Sequence, residues 1–105
     1  MTGNDFVQFR KDFDEQCTAV LVAKGPDYCR TADRLENFKA VAEVLGVDPV
    51  KVWAVYFMKH VAAIGKYVRD GKTASETIQS RFLDARNYLD LGLALIQEGM
   101  VTKRP

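Results

Sequence analysis

The sequence predicts an all-α protein, a compact four-helix bundle with a buried central third helix, in one domain spanning residues 1–105. Three observations carry that reading. Apolar residues recur at three- and four-residue spacing in four successive stretches. Glycine, proline and aspartate punctuate the gaps between them. No run of alternating β-branched residues competes for a strand.

The first helix is expected over residues 4–23, with Asn4 as cap and Asp5 in the first turn. Phe6, Phe9, Phe13, Cys17, Val20 and Leu21 form its apolar stripe, and Gly25-Pro26 is the expected stop. A second helix is expected over 31–45, capped by Thr31, buried through Leu35, Phe38, Val41, Ala42 and Leu45, and ended by Gly46. Asp48-Pro49 then opens a third helix, 49–70: the carboxylate can accept from free N–H groups, and proline at the first position lacks a donor that would be unused anyway. On this helix Lys51, Lys59, Lys66 and Arg69 share one narrow strip. Val52, Trp53, Tyr56, Phe57, Val61, Ile64, Tyr67 and Val68 occupy most of the rest, so neighbours are needed on two or three sides. Gly71 is its stop. Thr73 or Ser75 is the expected cap of a fourth helix, 75–98, with Ile78, Phe82, Ala85, Leu89, Gly92, Leu93 and Ile96 inward. Gly99 should end it, leaving a basic tail over 100–105.

Composition removes several function classes. With 48% hydrophobic and 28% charged residues the chain has globular rather than disordered composition. Fifteen basic residues against 14 acidic ones give no basic surface for sequence-independent nucleic-acid binding. The turn Gly46-Val47-Asp48-Pro49 has a suitable length, but Lys51 is the only cation in the first two turns of the helix that follows, which fits a DNA-reading helix poorly. Two cysteines do not make a disulfide framework, charges interrupt the N-terminal apolar runs, and the third helix's longest uncharged run is Val52–Met58. The expectation is a reduced cytoplasmic protein with no membrane span.

Few residues invite chemistry. Arg81, Asp84 and Tyr88 lie along the edge of the fourth helix's apolar arc, where a guanidinium and a carboxylate are costly unless paired or bound to something. An Arg81–Asp84 salt bridge is the plain structural account. His60, the single histidine, reads as a neutral histidine hydrogen-bonded in the core, since one imidazole makes no zinc site. Asn37 sits at the margin of the second helix's stripe. Asp33 and Glu36, with Asp84 from another helix, could supply oxygen ligands to Mg²⁺, although such spacing is common on solvated helices. Phosphate-binding loops, nucleophile elbows and zinc-protease motifs are absent.

The segments Lys24-Gly-Pro-Asp27-Tyr28, Arg34-Leu-Glu-Asn37-Phe38, Met58-Lys59-His60 and Asp84-Ala-Arg-Asn87-Tyr88, in that order, resemble small phage and prophage all-helical proteins near the nucleotide-modification-associated domains and the MazG-like pyrophosphatases. That resemblance covers about residues 13 to 98. It implies an oligomeric helical bundle that handles a nucleotide or nucleotide-derived ligand, in the host cytosol if the chain is phage-encoded. Carried over, it makes Asp27, Tyr28, Asn37, Lys59, Asp84, Asn87 and Tyr88 the ligand-binding residues, with Arg81 beside them and Asp84 the candidate metal ligand. Lys59 would meet a phosphate, Tyr28 or Tyr88 would stack on a base, Asn37 or Asn87 would hydrogen-bond it, and Asp84 would hold Mg²⁺ or a ribose hydroxyl. The pyrophosphatases carry paired acidic motifs on adjacent helices; here the fourth-helix element is Arg81-x-x-Asp84, and an arginine removes a ligand and repels the cation. Two expectations follow. One is a nucleotide-handling domain, either a degenerate Mg-dependent pyrophosphohydrolase or a protein that sequesters a signalling nucleotide. The other is an oligomeric module that binds a host or phage protein, supported by more apolar surface on the third helix than one chain can cover.

Overall fold

The computed structural model describes residues 1–28, 31–73 and 75–102. Its elements are α1 (Gly3–Tyr28), α2 (Glu36–Leu45), α3 (Pro49–Asp70) and α4 (Ile78–Thr102), an all-α bundle with no strand among the described residues. Packing runs in an open series, α2 on α3, α3 on α4 and α4 on α1, without an extensive α1–α2 contact to close the ring.

Local signals place the α3 boundaries where expected. Asp48 Oδ1 accepts from the Val50 N–H at 2.9 Å, with Pro49 at the first helical position. Gly46 and Gly71 close α2 and α3 at φ 68° and 72°, a left-handed conformation in which a β-carbon is strained.

The other boundaries differ. α1 continues through Gly25-Pro26 to Tyr28; Pro26 removes a single donor, close to the helix end, where few hydrogen bonds depend on it. Its start is a reciprocal box rather than an Asn4 cap: Thr2 N–H donates to Asp5 Oδ2 (3.0 Å) and Asp5 N–H donates to Thr2 Oγ1 (3.1 Å). α2 begins at Glu36 rather than 31. Thr31 Oγ1 takes the Asp33 N–H and Asp33 Oδ1 takes the Leu35 N–H, and these local bonds hold residues 31–35 in turns. α4 begins at Ile78 because Thr77 Oγ1, not Thr73 or Ser75, accepts from the Ser80 N–H at 3.1 Å. It also runs through Gly99 to Thr102. Among the described residues only Gly46 and Gly71 have positive φ, so Gly99 is an ordinary helical residue that weakens the helix without ending it. Residues 103–105 of the expected tail lie outside the described residues.

The core is small: Leu35, Phe38, Ala42, Val52 and Leu95, with Val41, Val50, Trp53, Tyr88 and Leu91 packed around it. α3 is central in position, touching both α2 and α4. Of its wide apolar arc, however, Val52 alone is fully buried within the single chain, and Val55, Met58 and Val68 are well exposed. The tightest joint is Trp53 against Gly92. A β-carbon at 92 would fall 2.8 Å from the indole Nε1 and closer still to Cε2 and Cζ2. That indole donates to the Tyr88 carbonyl at 2.6 Å and stacks on Phe57 at 5.2 Å. This joint turns α4 so that Leu83, Ala85, Asn87 and Leu95 are buried, while Phe82, Leu89, Leu93 and Ile96, expected inward, face out.

Candidate functional site

Because α1 and α2 do not close on each other, a cavity of about 810 Å³ opens between them and is walled by all four helices. Val20, Leu21 and Lys24 come from α1, and Asn37, Phe38 and Val41 from α2. Tyr56 and His60 come from α3; Asp84, Asn87, Tyr88 and Leu91 from α4. Arg34 and Glu76, from the segments preceding α2 and α4, complete the wall.

One wall is aromatic. Phe38 meets Tyr88 edge-on at 6.1 Å and Tyr56 at 6.3 Å, and the His60 ring lies 4.5 Å from that of Tyr88. His60 is therefore a half-buried wall residue whose ring lies tilted against a tyrosine, rather than a hydrogen-bonded core histidine. Burial holds its imidazole below the usual histidine range; Arg81 and Lys59 push the same way, while Asp84 and Glu76 oppose. It is neutral at pH 7 and presents one acceptor nitrogen.

The polar groups of this wall have unused hydrogen-bonding capacity. Asn87 is 5% exposed; its amide nitrogen donates to the Cys17 carbonyl at 3.2 Å, while its buried Oδ1 has no partner. Arg81 does not pair with Asp84. Its guanidinium reaches Glu76 at 3.9 Å, and its buried Nε has no acceptor. Half-buried Asp84 has no hydrogen-bond or ion-pair partner among the described residues. A buried unsatisfied group costs about 1–3 kcal/mol, so Arg81 Nε and Asn87 Oδ1, with the unpaired Asp84 carboxylate in the same wall, make an arrangement that a polar ligand would relieve.

At the α1 side the cavity turns basic. Lys24 is exposed there, and Arg34 donates to the Leu21 carbonyl at 2.7 Å. The wall thus offers cations, aromatic faces, and carboxylate and amide groups to one ligand.

Of the residues expected from sequence, Asn37, Asp84, Asn87 and Tyr88 meet in this cavity, and Arg81 stands beside it. Lys59 does not line it; its ammonium lies 5.8 Å over the ring of Tyr56, which does. The side chains of Asp27 and Tyr28 lie outside the described residues. Lys24, Arg34 and His60 lie within the four motif segments and line the cavity too, although the resemblance does not make them ligand-binding residues. Glu76 had no sequence signal beyond its place in a capping pattern.

Among the described residues the carboxylates do not gather into a cation site. Asp33 is engaged by Lys39 at 2.7 Å and by the Leu35 N–H, and Lys39 also binds Glu98. No group of three His, Cys, Asp or Glu residues is placed to hold a metal among the described residues. Nor is any described helix long and apolar enough to cross a membrane. No family model, curated protein or solved structure matches the chain.

Proposed function

We propose that this is a nucleotide-handling domain that binds a nucleotide or nucleotide-derived ligand in the four-helix cavity and sequesters it without turnover. The observation that carries the reading is the coincidence, in one cavity of ligand size, of aromatic faces with unspent polar capacity at Asp84, Asn87 and neighbouring Arg81. Tyr88 or Tyr56 takes a base face, Asn37 and Asn87 read its edge, and Asp84 accepts from a ribose hydroxyl or an exocyclic amine. Lys24 and Arg34 receive the phosphate end. The motif resemblance to nucleotide-modification-associated and MazG-like proteins agrees with this ligand class. The engaged Asp33 and the basic Arg81 beside Asp84 favour binding over Mg-dependent pyrophosphate hydrolysis.

A thermal-shift screen against nucleotides, cyclic nucleotides and dinucleotides, with and without Mg²⁺, tests it. A ligand that binds the folded state alone at about 100 times its Kd adds roughly 2.7 kcal/mol, a shift of many degrees for a domain of this size. Asp84→Ala and Asn37→Ala should remove the shift, and chromatography should recover the ligand intact. No shift with any compound would sink the reading.

A second reading, a self-associating interaction module, is favoured by a separate observation. The chain leaves 7738 Å² exposed, whereas a folded monomer of 11.8 kDa leaves about 5,900 Å². Its radius of gyration is 15.9 Å, against about 13 Å for a compact domain of this length.

A further inference from the structure

We infer that two copies of this chain associate by reciprocal arm exchange: the N-terminal turns of α1 in each copy lie on the outward apolar strip of α4 in the other. The inference rests on the self-association reading and adds to it the surfaces, the occupant and the symmetry.

The first surface is the arm. Every residue from Met1 to Asp12 is exposed. α1 meets the bundle first at Phe13 and Asp14, where Arg86 lies 5.6 Å over the phenyl ring and donates to the carboxylate at 2.9 Å. N-terminal to that point, Phe6, Phe9 and Phe13 stack at 6.3 and 6.0 Å, both pairs at 18°, in a continuous aromatic rail. Phe6 and Phe9 are each about half exposed. A helical stretch this short is marginal in water without tertiary support, and three phenyl rings on one face are a poor solvent surface.

The second surface is the back of α4. Phe82, Leu89, Leu93, Ile96 and Met100 succeed one another at spacings of seven, four, three and four, which places them within one narrow sector. All are more than a third exposed, and they lie opposite the sector that carries Leu91 and Leu95 into the core. Arg86 stands at the edge of this strip, so α1 leaves the bundle beside it.

The surfaces match in length and number. Phe6 to Phe13 and Leu89 to Ile96 each advance seven residues, about 10 Å of helix. Each copy carries one rail and one strip, so a two-fold axis satisfies both at once and leaves neither over. The area agrees: the chain's excess exposure, roughly 1,800 Å², is more than the about 800 Å² per partner that a standard interface removes.

Charge complementation tests the pairing. The full chain should sediment as a dimer at micromolar concentration. Phe9→Glu alone, and Leu93→Lys alone, should each weaken the dimer by at least about 100-fold, because each homodimer then buries two unpaired charges. An equimolar mixture should recover the dimer, since the heterodimer has one native contact and one Glu–Lys contact. Near-UV circular dichroism of Trp53 reports whether each variant keeps the core, and Phe9→Ser with Leu93→Ser serves if a charged variant does not: each should weaken the dimer. A monomeric wild type would overturn both self-association and the exchange. Single variants that remain dimeric, or folded variants whose charged mixture stays monomeric, would overturn the exchange and leave self-association through another face.

Discussion

The Trp53–Gly92 joint and the first three turns of α1 both present aromatic side chains in sequence, and their environments are opposite. At the joint, an indole lies on a glycine, stacks on Phe57 and donates to the Tyr88 carbonyl. On the arm, three phenylalanines touch chiefly one another. Hydrophobic periodicity identifies a face that requires cover; it does not say which molecule supplies the cover. Substitutions that read local packing should therefore separate the two regions sharply.

The largest difference is expected from Leu95→Ala, which opens a cavity in the small core and should cost about 3 kcal/mol, lowering Tm by more than 10 °C. Phe9→Ala removes a larger side chain, yet at concentrations below the Kd of the proposed dimer it should move stability by less than about 0.5 kcal/mol. Equal losses in urea titrations would show that the arm is packed within its own chain. Gly92→Ala adds one methyl group against the indole, which its stacking and hydrogen bond keep from retreating; about 2 kcal/mol of destabilisation is expected, with a red-shifted Trp53 emission. Gly99→Ala, with open space around the added carbon, should instead be neutral or slightly stabilising.

How much of this was legible in the sequence follows the same division. Asp48-Pro49, Gly46 and Gly71 act through their own backbone neighbourhood, and each does what its residue type implies. Gly25-Pro26 and Gly99 are the same residue types, but the helices pass through them. A breaker signal is a local cost, and a long helix can absorb it. A helical wheel finds both apolar sectors of α4 and cannot know that Trp53 selects the one containing Gly92. Asp84, Asn87 and Tyr88 were legible as polar residues at the edge of an apolar arc. The apolar helix neighbours of His60 give it the sequence signature of a core residue. Its place at the cavity wall depends on the gap between α1 and α2, a property of four helices together.

The cavity shares features of both regions, packed aromatic rings and uncovered polar groups, and it should combine a cost to folding with a gain in binding. Asp84→Asn removes an unpaired half-buried charge and should raise stability without ligand by up to about 1 kcal/mol while abolishing the ligand-induced shift. A drop in stability would mean that the carboxylate is structurally engaged.

The smallest effect concerns protons. Burial lowers the His60 value from 6.5, so the unfolded chain binds a proton at a pH where the folded chain does not. The stability linked to His60 is complete above about pH 6.5, declines as pH falls, and levels off below the folded-state value. As the single histidine it gives one set of imidazole resonances, so an NMR titration reads the folded-state value without assignment. Asp84 pulls that value up; in Asp84→Asn it should fall further, and the decline in stability should extend to lower pH. A midpoint at or above 6.5 in the wild type would place the imidazole in water rather than against Tyr88. A midpoint unchanged by Asp84→Asn would place the carboxylate too far away to share a ligand with the His60–Tyr88 wall.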